Sequence, residues 1–588
     1  MVIISAILLA AATTGFALYS ENLSRKKESD YSLEDKNNKA ELLKISDSQT
    51  YASKIVEKMN SSQLAGQVMM IGYAGSAPSF EVIEWIKEKN IGGIKIFGWN
   101  TDDLFILRKS IEEMQNAALK SELKIPLFIA TDQEGGWVRH VKGNSSITPG
   151  NMALGASEII NDSYMTGFFI GKELTALGIN MNFAPTVDIL INHEAHVIGP
   201  RAFSDDPLQT AILATSYANG MKEAGIICTA KHFPGHGRTA DDSHGRLPVI
   251  ETTLDELLKA DLLPYDFLIK ENLPAIMSGH LAFPAITGNK LPASLSSFFL
   301  KDMLREKMQF NGIIITDDMQ MNGALYKNSV SESSLAALKA GNDMVMVSRN
   351  LAEYEKIRNL IIREINNDTD FEKQIRKSVE RIISVKHEYL EKTTAPELKN
   401  GAQAVHGTQA VHGTQAAVSG SSLPAEGASS FFYQQAFRSA SLLHSDKSIK
   451  TPEKDERILL AGPLRLFFEE GLKRFPNADS YFFPYNPFYK ALEDDLKKMP
   501  AIASGYDTVI FCSANLAGIE ILETLKNKKC RVIVLSVLSP ASLSNLRWLD
   551  GGVAVYGTGR ESFTAGFAAI AGDFIPEGVM PLVTKENS

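Results

Sequence analysis

The sequence predicts an α/β protein in two parts: a (β/α)8 barrel of the TIM type, then a smaller parallel α/β sandwich. Three observations lead there. Short apolar runs alternate with helix-length amphipathic runs, and the first part holds eight of them. Asp132, Asp188, His232, His280 and Asp317 each end one of those runs, and in a barrel all such ends open on one face. A low-complexity stretch then interrupts the alternation, which restarts beyond it. A doubly wound open sheet is the competing architecture, and the count of eight ranks it lower. The chain's 588 residues are too many for one domain and suit two large ones.

In chain order, Val2 to Tyr19 is uncharged and apolar, ended by Glu21 and Arg25-Lys26-Lys27. It is expected to be a signal peptide or an N-terminal membrane anchor over residues 1–20. Gly15-Phe16-Ala17 offers small residues for cleavage, and no cysteine nearby offers a lipid attachment point. Residues 21–50 read as a polar tether. The barrel is assigned to residues 51–395. Its expected strands are Gln67–Gly72, Gly92–Gly98, Pro126–Asp132, Ile179–Asp188, Ile226–His232, Pro274–His280, Gly312–Asp317 and Asp343–Ser348. Helices are expected at Phe80–Lys89, Asp103–Leu119, Ile160–Leu177 and Asp255–Lys270, with one long closing helix from Leu351 to about Lys392. Residues 396–430 are a linker, containing the repeated hexamer Ala404–Gln409 and Ala410–Gln415. Residues 431–588 form the second part, with strands expected at Ile458–Ala461, Thr508–Cys512, Val532–Ser536 and Val553–Tyr556. Ala461-Gly462-Pro463 is too short a signal for a phosphate-binding loop. This part is expected to be structural or sugar-binding.

The densest chemistry lies in Lys231-His232-Phe233-Pro234-Gly235-His236-Gly237, continued by Asp241-Asp242-Ser243-His244. The apolar run before it reads as a buried strand, and Pro234, Gly235 and Gly237 force a loop. Three readings compete. A polar loop satisfying its own backbone is the plainest. A metal site could draw on His232, His236, Asp242 and His244, but Pro234 and Gly235 exclude the helix that a His-x-x-x-His zinc pair requires. Acid–base catalysis ranks first, with Asp242 orienting His244 and raising its basicity.

Hydrophobic residues make up 44% of the chain and charged residues 22%, an ordinary globular balance. A net charge of −9 disfavours nucleic acid or an anionic membrane surface as partner. Cys228, Cys512 and Cys530 are dispersed and suggest neither disulfides nor a metal cluster. No cofactor is expected, and a monomer is.

The loop Lys231–Gly237 with Asp242-Ser243-His244 resembles the signature of family 3 glycoside hydrolases of the β-N-acetylglucosaminidase branch. Further matches follow in the family's order. They are Asp132-Gln133-Glu134-Gly135-Gly136, Asn182-Phe183-Ala184-Pro185, Val197-Ile198-Gly199-Pro200-Arg201, Pro292-Ala293-Ser294-Leu295-Ser296 and Thr316-Asp317-Asp318-Met319. Ala571 to Pro581 resembles the close of the family's second domain. The resemblance spans roughly Tyr51 to Leu582 and points to the two-domain bacterial enzymes that trim peptidoglycan fragments.

The resemblance implies Asp317 as nucleophile and His244 as general acid/base with Asp242 as its partner. It implies that Asp132, Arg201, Lys231 and His232 hold the sugar hydroxyls. The family's Gly-Gly-x-Val-x-Arg appears here as Gly135-Gly136-Trp137-Val138-Arg139-His140, so His140 stands at the usual arginine's place and joins the substrate-binding set. The expected activity is exo-acting release of terminal GlcNAc, with retention, from peptidoglycan fragments or related β-linked sugars. The location implied is periplasmic, envelope-attached or extracellular. Other readings stay open: a β-glycoside phosphorylase or another family 3 β-glycosidase with the same residues, a metal-dependent hydrolase, and an idle sugar-binding envelope protein. The adjacent acids Asp317-Asp318 also fit the pairs used in substrate-assisted hydrolysis, which ranks below a covalent intermediate.

Overall fold

A computed structural model describes residues 47–326, 328–390, 423–444, 448–485 and 490–582. The expected N-terminal export segment, the tether up to residue 46 and the repeated hexamers lie outside these residues.

Eight parallel strands close into a barrel in strictly sequential order. They are β1 (Met69–Gly72), β2 (Gly93–Lys95), β3 (Phe128–Thr131), β4 (Met181–Asn182), β5 (Ile227–Phe233), β6 (Ala275–Ser278), β7 (Ile313–Asp318) and β8 (Met344–Val347). Their residues are almost all buried, as strands covered on both faces by βαβ crossovers must be. Six of the eight expected runs contain one of these strands, and β5 and β7 run one residue past theirs, to Phe233 and Asp318. The fourth is shorter than expected: only Met181 and Asn182 pair with neighbours in the ladder, because Pro185 has no N–H to donate. Thr186 still bridges Lys231, which carries the chain on to Asp188.

Local caps set the helix starts. Asp206 accepts from the Gln209 amide with Pro207 at the first helical position, and Thr253–Glu256 and Ser329–Glu332 form capping boxes. Two expected helices are broken. Asp255–Lys270 is two helices, Leu254–Lys259 and Leu263–Lys270, interrupted at Ala260 with Pro264 opening the second. The long closing helix is Leu351–Asn367 followed by Thr369–Leu390. Asp368 leaves helical geometry there and caps the second segment through the Asp370 and Phe371 amides. Helical residues 47–50 fall within the range expected to be tether.

The second sheet has six strands in the order β9-β14-β13-β12-β10-β11. These are β9 (Ser441–Leu442), β10 (Ile458–Gly462), β11 (Asp479–Phe482), β12 (Thr508–Ser513), β13 (Arg531–Val537) and β14 (Gly551–Tyr556). All neighbours are parallel except β9, which runs antiparallel to β14. The two edge strands escaped sequence reading. One is only two residues long, and the other, Asp-Ser-Tyr-Phe, is polar and largely exposed.

The two parts share a core. Met152, Ala153, Ala156, Leu190 and Ile198 of the barrel side pack in one cluster with Leu443, Val534, Tyr556 and Leu582 of the second sheet. Leu423 packs on the barrel core and helix Ala428–Ser439 packs on Phe169, so the end of the expected linker is ordered against the barrel. Arg438 makes two 2.9 Å hydrogen bonds to Asp162, and the Val579 amide donates to Ala156 O at 2.8 Å.

Candidate active site

The carboxyl ends of the strands carry a network of opposed charges. Lys95 ends β2 and Lys231 lies in β5; both reach Asp132, which follows β3, at 2.6 Å and 2.5 Å. Lys231 Nζ also lies 2.6 Å from Glu134 Oε1. Arg201, on the short turn Gly199–Arg201, grips Glu134 with two hydrogen bonds of 2.8 and 2.9 Å, the bidentate geometry a guanidinium offers a carboxylate. Lys95 and Glu134 are buried, with side chains only 1% exposed, so each charge needs its partners. Burial alone would raise Asp132, but Lys231, Lys95 and His140 hold it well below the usual carboxylate range. Against the same burial, Arg201 and Lys231 bring Glu134 down to about 2.

A second network fixes two histidines. Asp188 Oδ2 accepts from His232 Nδ1 at 2.7 Å, and Asp188 Oδ1 accepts from the backbone amides of His232 and His236 at 3.2 and 2.7 Å. Nδ1 therefore carries the His232 proton, and Nε2 faces Arg201 at 3.4 Å as an acceptor. Burial, then the nearby His232, pushes the His236 imidazole down to about 4, so it is neutral.

Asp317 is the penultimate residue of β7, half-buried, with one carboxylate oxygen accepting from the Asp318 amide at 2.8 Å. Burial raises it, but His232, His280 and that amide overcome burial and keep it below its ordinary value. It is an anion at neutral pH. Its neighbour Asp318 goes the other way: burial and the adjacent Asp317 charge raise it, against hydrogen bonds from Ser348 and Gln320.

Asp242 and His244 sit on the loop after β5. His244 Nδ1 lies 2.7 Å from Asp242 Oδ1, which also accepts the His244 amide at 2.9 Å. The pair is open to solvent, with side chains 71% and 49% exposed. The hydrogen bond to Asp242 is the main cause that raises the His244 imidazole above its ordinary value, and Asp317 adds to it. With Nδ1–H turned to Asp242, Nε2 is left to carry a transferable proton. The loop is latched beside the pocket: Ser243 O accepts from the Gly323 amide at 3.0 Å, and Ser243 Oγ meets His236 Nε2 at 3.3 Å.

The structure therefore joins Asp132, Arg201, Lys231, His232 and His140 in one floor, of which His232 and Lys231 act electrostatically on Asp317. His140 Nδ1 lies 3.3 Å from Lys95 Nζ and 3.7 Å from Asp132, with its ring 5.9 Å from that of Phe97. Burial and Lys95 push it down to about 4, so it is uncharged and does not replace an arginine's permanent charge. Sequence reading missed Lys95 and the role of Glu134. A lone lysine inside an apolar strand run was the available signal for the first. Among the described residues no group of three or more His, Cys, Asp or Glu side chains could hold a metal ion. The four candidate ligands are instead divided between Asp188, Ser243 and the exposed loop pair. A separate cleft of about 1190 Å³, lined in part by Asp206, Leu208, His444 and Met580, lies between the two parts and contains none of these residues.

The chain's likenesses agree with this geometry. The model of the glycosyl hydrolase family 3 N-terminal domain matches residues 58–385. A beta-hexosaminidase of Idiomarina loihiensis is 37% identical over 288 residues, covering 48% of this chain and 84% of that protein. One from Haemophilus influenzae (strain PittEE) is 35% identical over 284 residues, covering 47% and 79%. Among solved structures, a family 3 beta-N-acetylglucosaminidase from Paenibacillus sp. str. FPU-7 superposes with a TM-score of 0.79 at 27% identity, over 89% of this chain and 99% of that one. A family model matched over more than half the chain, laid on a closed barrel whose strand ends hold paired carboxylates and histidines, makes this protein a glycoside hydrolase of family 3.

Proposed function

We propose that the protein is an exo-acting, retaining β-N-acetylglucosaminidase that releases terminal GlcNAc from peptidoglycan fragments or related β-linked sugars. The observation that carries the reading is geometric: Asp317 lies at a strand end with one oxygen held by the Asp318 amide at 2.8 Å, and His244 Nδ1 lies 2.7 Å from Asp242 on the loop after β5; the lowered Asp317 and the raised His244 agree with it. The names of the relatives support the sugar.

Asp317 attacks the anomeric carbon and forms a glycosyl ester while His244 Nε2–H protonates the departing oxygen. His244, now neutral, takes a proton from water, which attacks the same carbon and frees Asp317. Imidazole suits both halves because its ordinary value lies near neutrality. Asp132, Arg201 and His140 retain exposure of 17%, 13% and 28%, so they offer themselves to sugar hydroxyls. Lys231 lies beneath them and holds Asp132 and Glu134 in place, and His232 Nε2 is the remaining acceptor.

Turnover of nitrophenyl β-glycosides of GlcNAc and of glucose, in water and in phosphate, tests the reading. The expected result is preference for GlcNAc with free sugar as product in both media. Preference for glucose, or glycosyl phosphate as the main product, overturns it. Export is part of the proposal, resting on the apolar segment Val2–Tyr19. Fractionation of cells expressing the full chain checks it, and quantitative recovery in the cytosol with an intact N-terminus refutes it. No helix among the described residues is long and apolar enough to cross a membrane.

A further inference from the structure

The loop bearing Asp242 and His244 has an exposed tip and a buried base. At the base, Gly237 lies so close to Ile189 that an added Cβ would sit 1.8 Å from its carbonyl oxygen. Gly235 has φ of +143°, and a Cβ there would sit 2.7 Å from Asp261 Oδ1. The loop backbone thus rests directly on the Asp261 carboxylate. Arg238, the next charged residue along, donates from Nε to Asp261 Oδ2 at 2.8 Å. Asp261 occupies the break between helices Leu254–Lys259 and Leu263–Lys270, and its side chain is fully buried. Its Oδ1 has no hydrogen-bond partner among the described residues. Burial pushes its carboxyl up to about 6 against the pull of Arg238.

A buried ion pair is a poor source of net stability, since well-packed apolar residues usually do as well or better. What such a pair supplies is fixed geometry. This one joins no polar pair of the pocket floor; it joins the helix break to the base of the loop. We propose that Asp261 is a positioning residue, which through Arg238 and the backbone at Gly235 fixes the base of this loop and so keeps His244 in reach of the glycosidic oxygen. The catalytic half of this statement rests on the reading of His244 as general acid.

The test compares wild type, Arg238→Gln, Arg238→Lys and Asp261→Asn by amide hydrogen exchange and by kcat/KM. In the Gln and Asn variants, exchange across residues 236–247 is expected to quicken about tenfold or more, the share of a local opening that one hydrogen bond to a charged group controls, with other barrel segments unchanged. Disaccharide kcat/KM is expected to fall roughly tenfold while the nitrophenyl glycoside changes by less than about twofold, because only the poorer leaving group needs the acid. Arg238→Lys, which keeps the charge, is expected to fall between. Unchanged loop exchange, exchange raised across the whole barrel, or equal loss on both substrates overturns the proposal. Arg238→Gln alters only the half-buried partner, and carries the test if Asp261→Asn does not fold. His244→Ala is measured alongside. If it shows no dependence on leaving group, the general-acid reading fails, and the exchange data alone decide whether Asp261 holds the loop.

Discussion

The pocket floor and the loop above it solve opposite problems with the same residue types. On the floor, Asp132, Glu134, Lys95, Lys231 and Arg201 are each paired with an opposite charge in burial, where a lone charge would be very costly. On the loop, Asp242 and His244 pair in solvent, where the bond is weak but the imidazole keeps a proton it can give up. The difference teaches a division of labour. In the proposed mechanism the nucleophile works from a fixed position, and Asp317 lies at the end of a strand. The proposed proton donor, His244, instead rides on a loop whose base is fixed and whose tip is open to solvent.

The sharpest way to break this contrast is at the nucleophile. Asp317→Ala should lower turnover by on the order of 10⁴-fold or more while leaving the fold intact, and a fluorinated GlcNAc analogue should label wild type on a peptide containing Asp317. Labelling elsewhere, or ordinary rates in the variant, removes the rigid half of the comparison. His244→Ala should slow a disaccharide by roughly 10²–10⁴-fold and a nitrophenyl glycoside far less, as read from the two kcat/KM ratios. Equal losses would make His244 a binding residue.

The floor should break differently. Lys231→Met takes one cation from both Asp132 and Glu134, which keep Lys95 and Arg201, so denaturant unfolding should show a loss of about 1–3 kcal/mol, whereas His244→Ala should be near neutral in stability. Parity between the two would mean that water already reaches the floor. The smallest effect is in pH. Asp317 is held below its ordinary value, so the acid limb of kcat/KM should lie below the usual carboxylate range. His244 is raised, so its proton, and the activity that needs it, should persist above about 6.5 and be lost as pH rises further. Asp242→Asn removes the main cause of that rise and should move the alkaline limb downward, leaving the acid limb in place.

Much of this was legible in the chain. Strand-end polar residues announced the pocket face, because β1 to β8 are short apolar runs that stop where they meet solvent. The Asp242–His244 pair was legible because the two residues are near neighbours in sequence. Lys95 and Glu134 were not, since a residue's partner across a barrel is set by closure and not by spacing. Helix breaks at Ala260 and Asp368 carried local signals, Pro264 and the Asp368 cap, which the helical spacing of apolar residues on either side outweighed. The antiparallel edge β9 was too short to leave a pattern.

The core shared between the barrel and the second sheet has a consequence for how the chain can be cut. Ala156, Asp162 and Leu190 are bound to Val579, Arg438 and the second sheet by packing, hydrogen bonds and an ion pair that do not depend on the stretch 391–422. A protease that nicks the polypeptide there should yield two fragments that stay together through size-exclusion chromatography and keep hydrolysing substrate. Either fragment produced alone would present that apolar seam to water and be prone to aggregate. The peptide connection would then serve to bring the two pieces together during folding rather than to hold them afterwards.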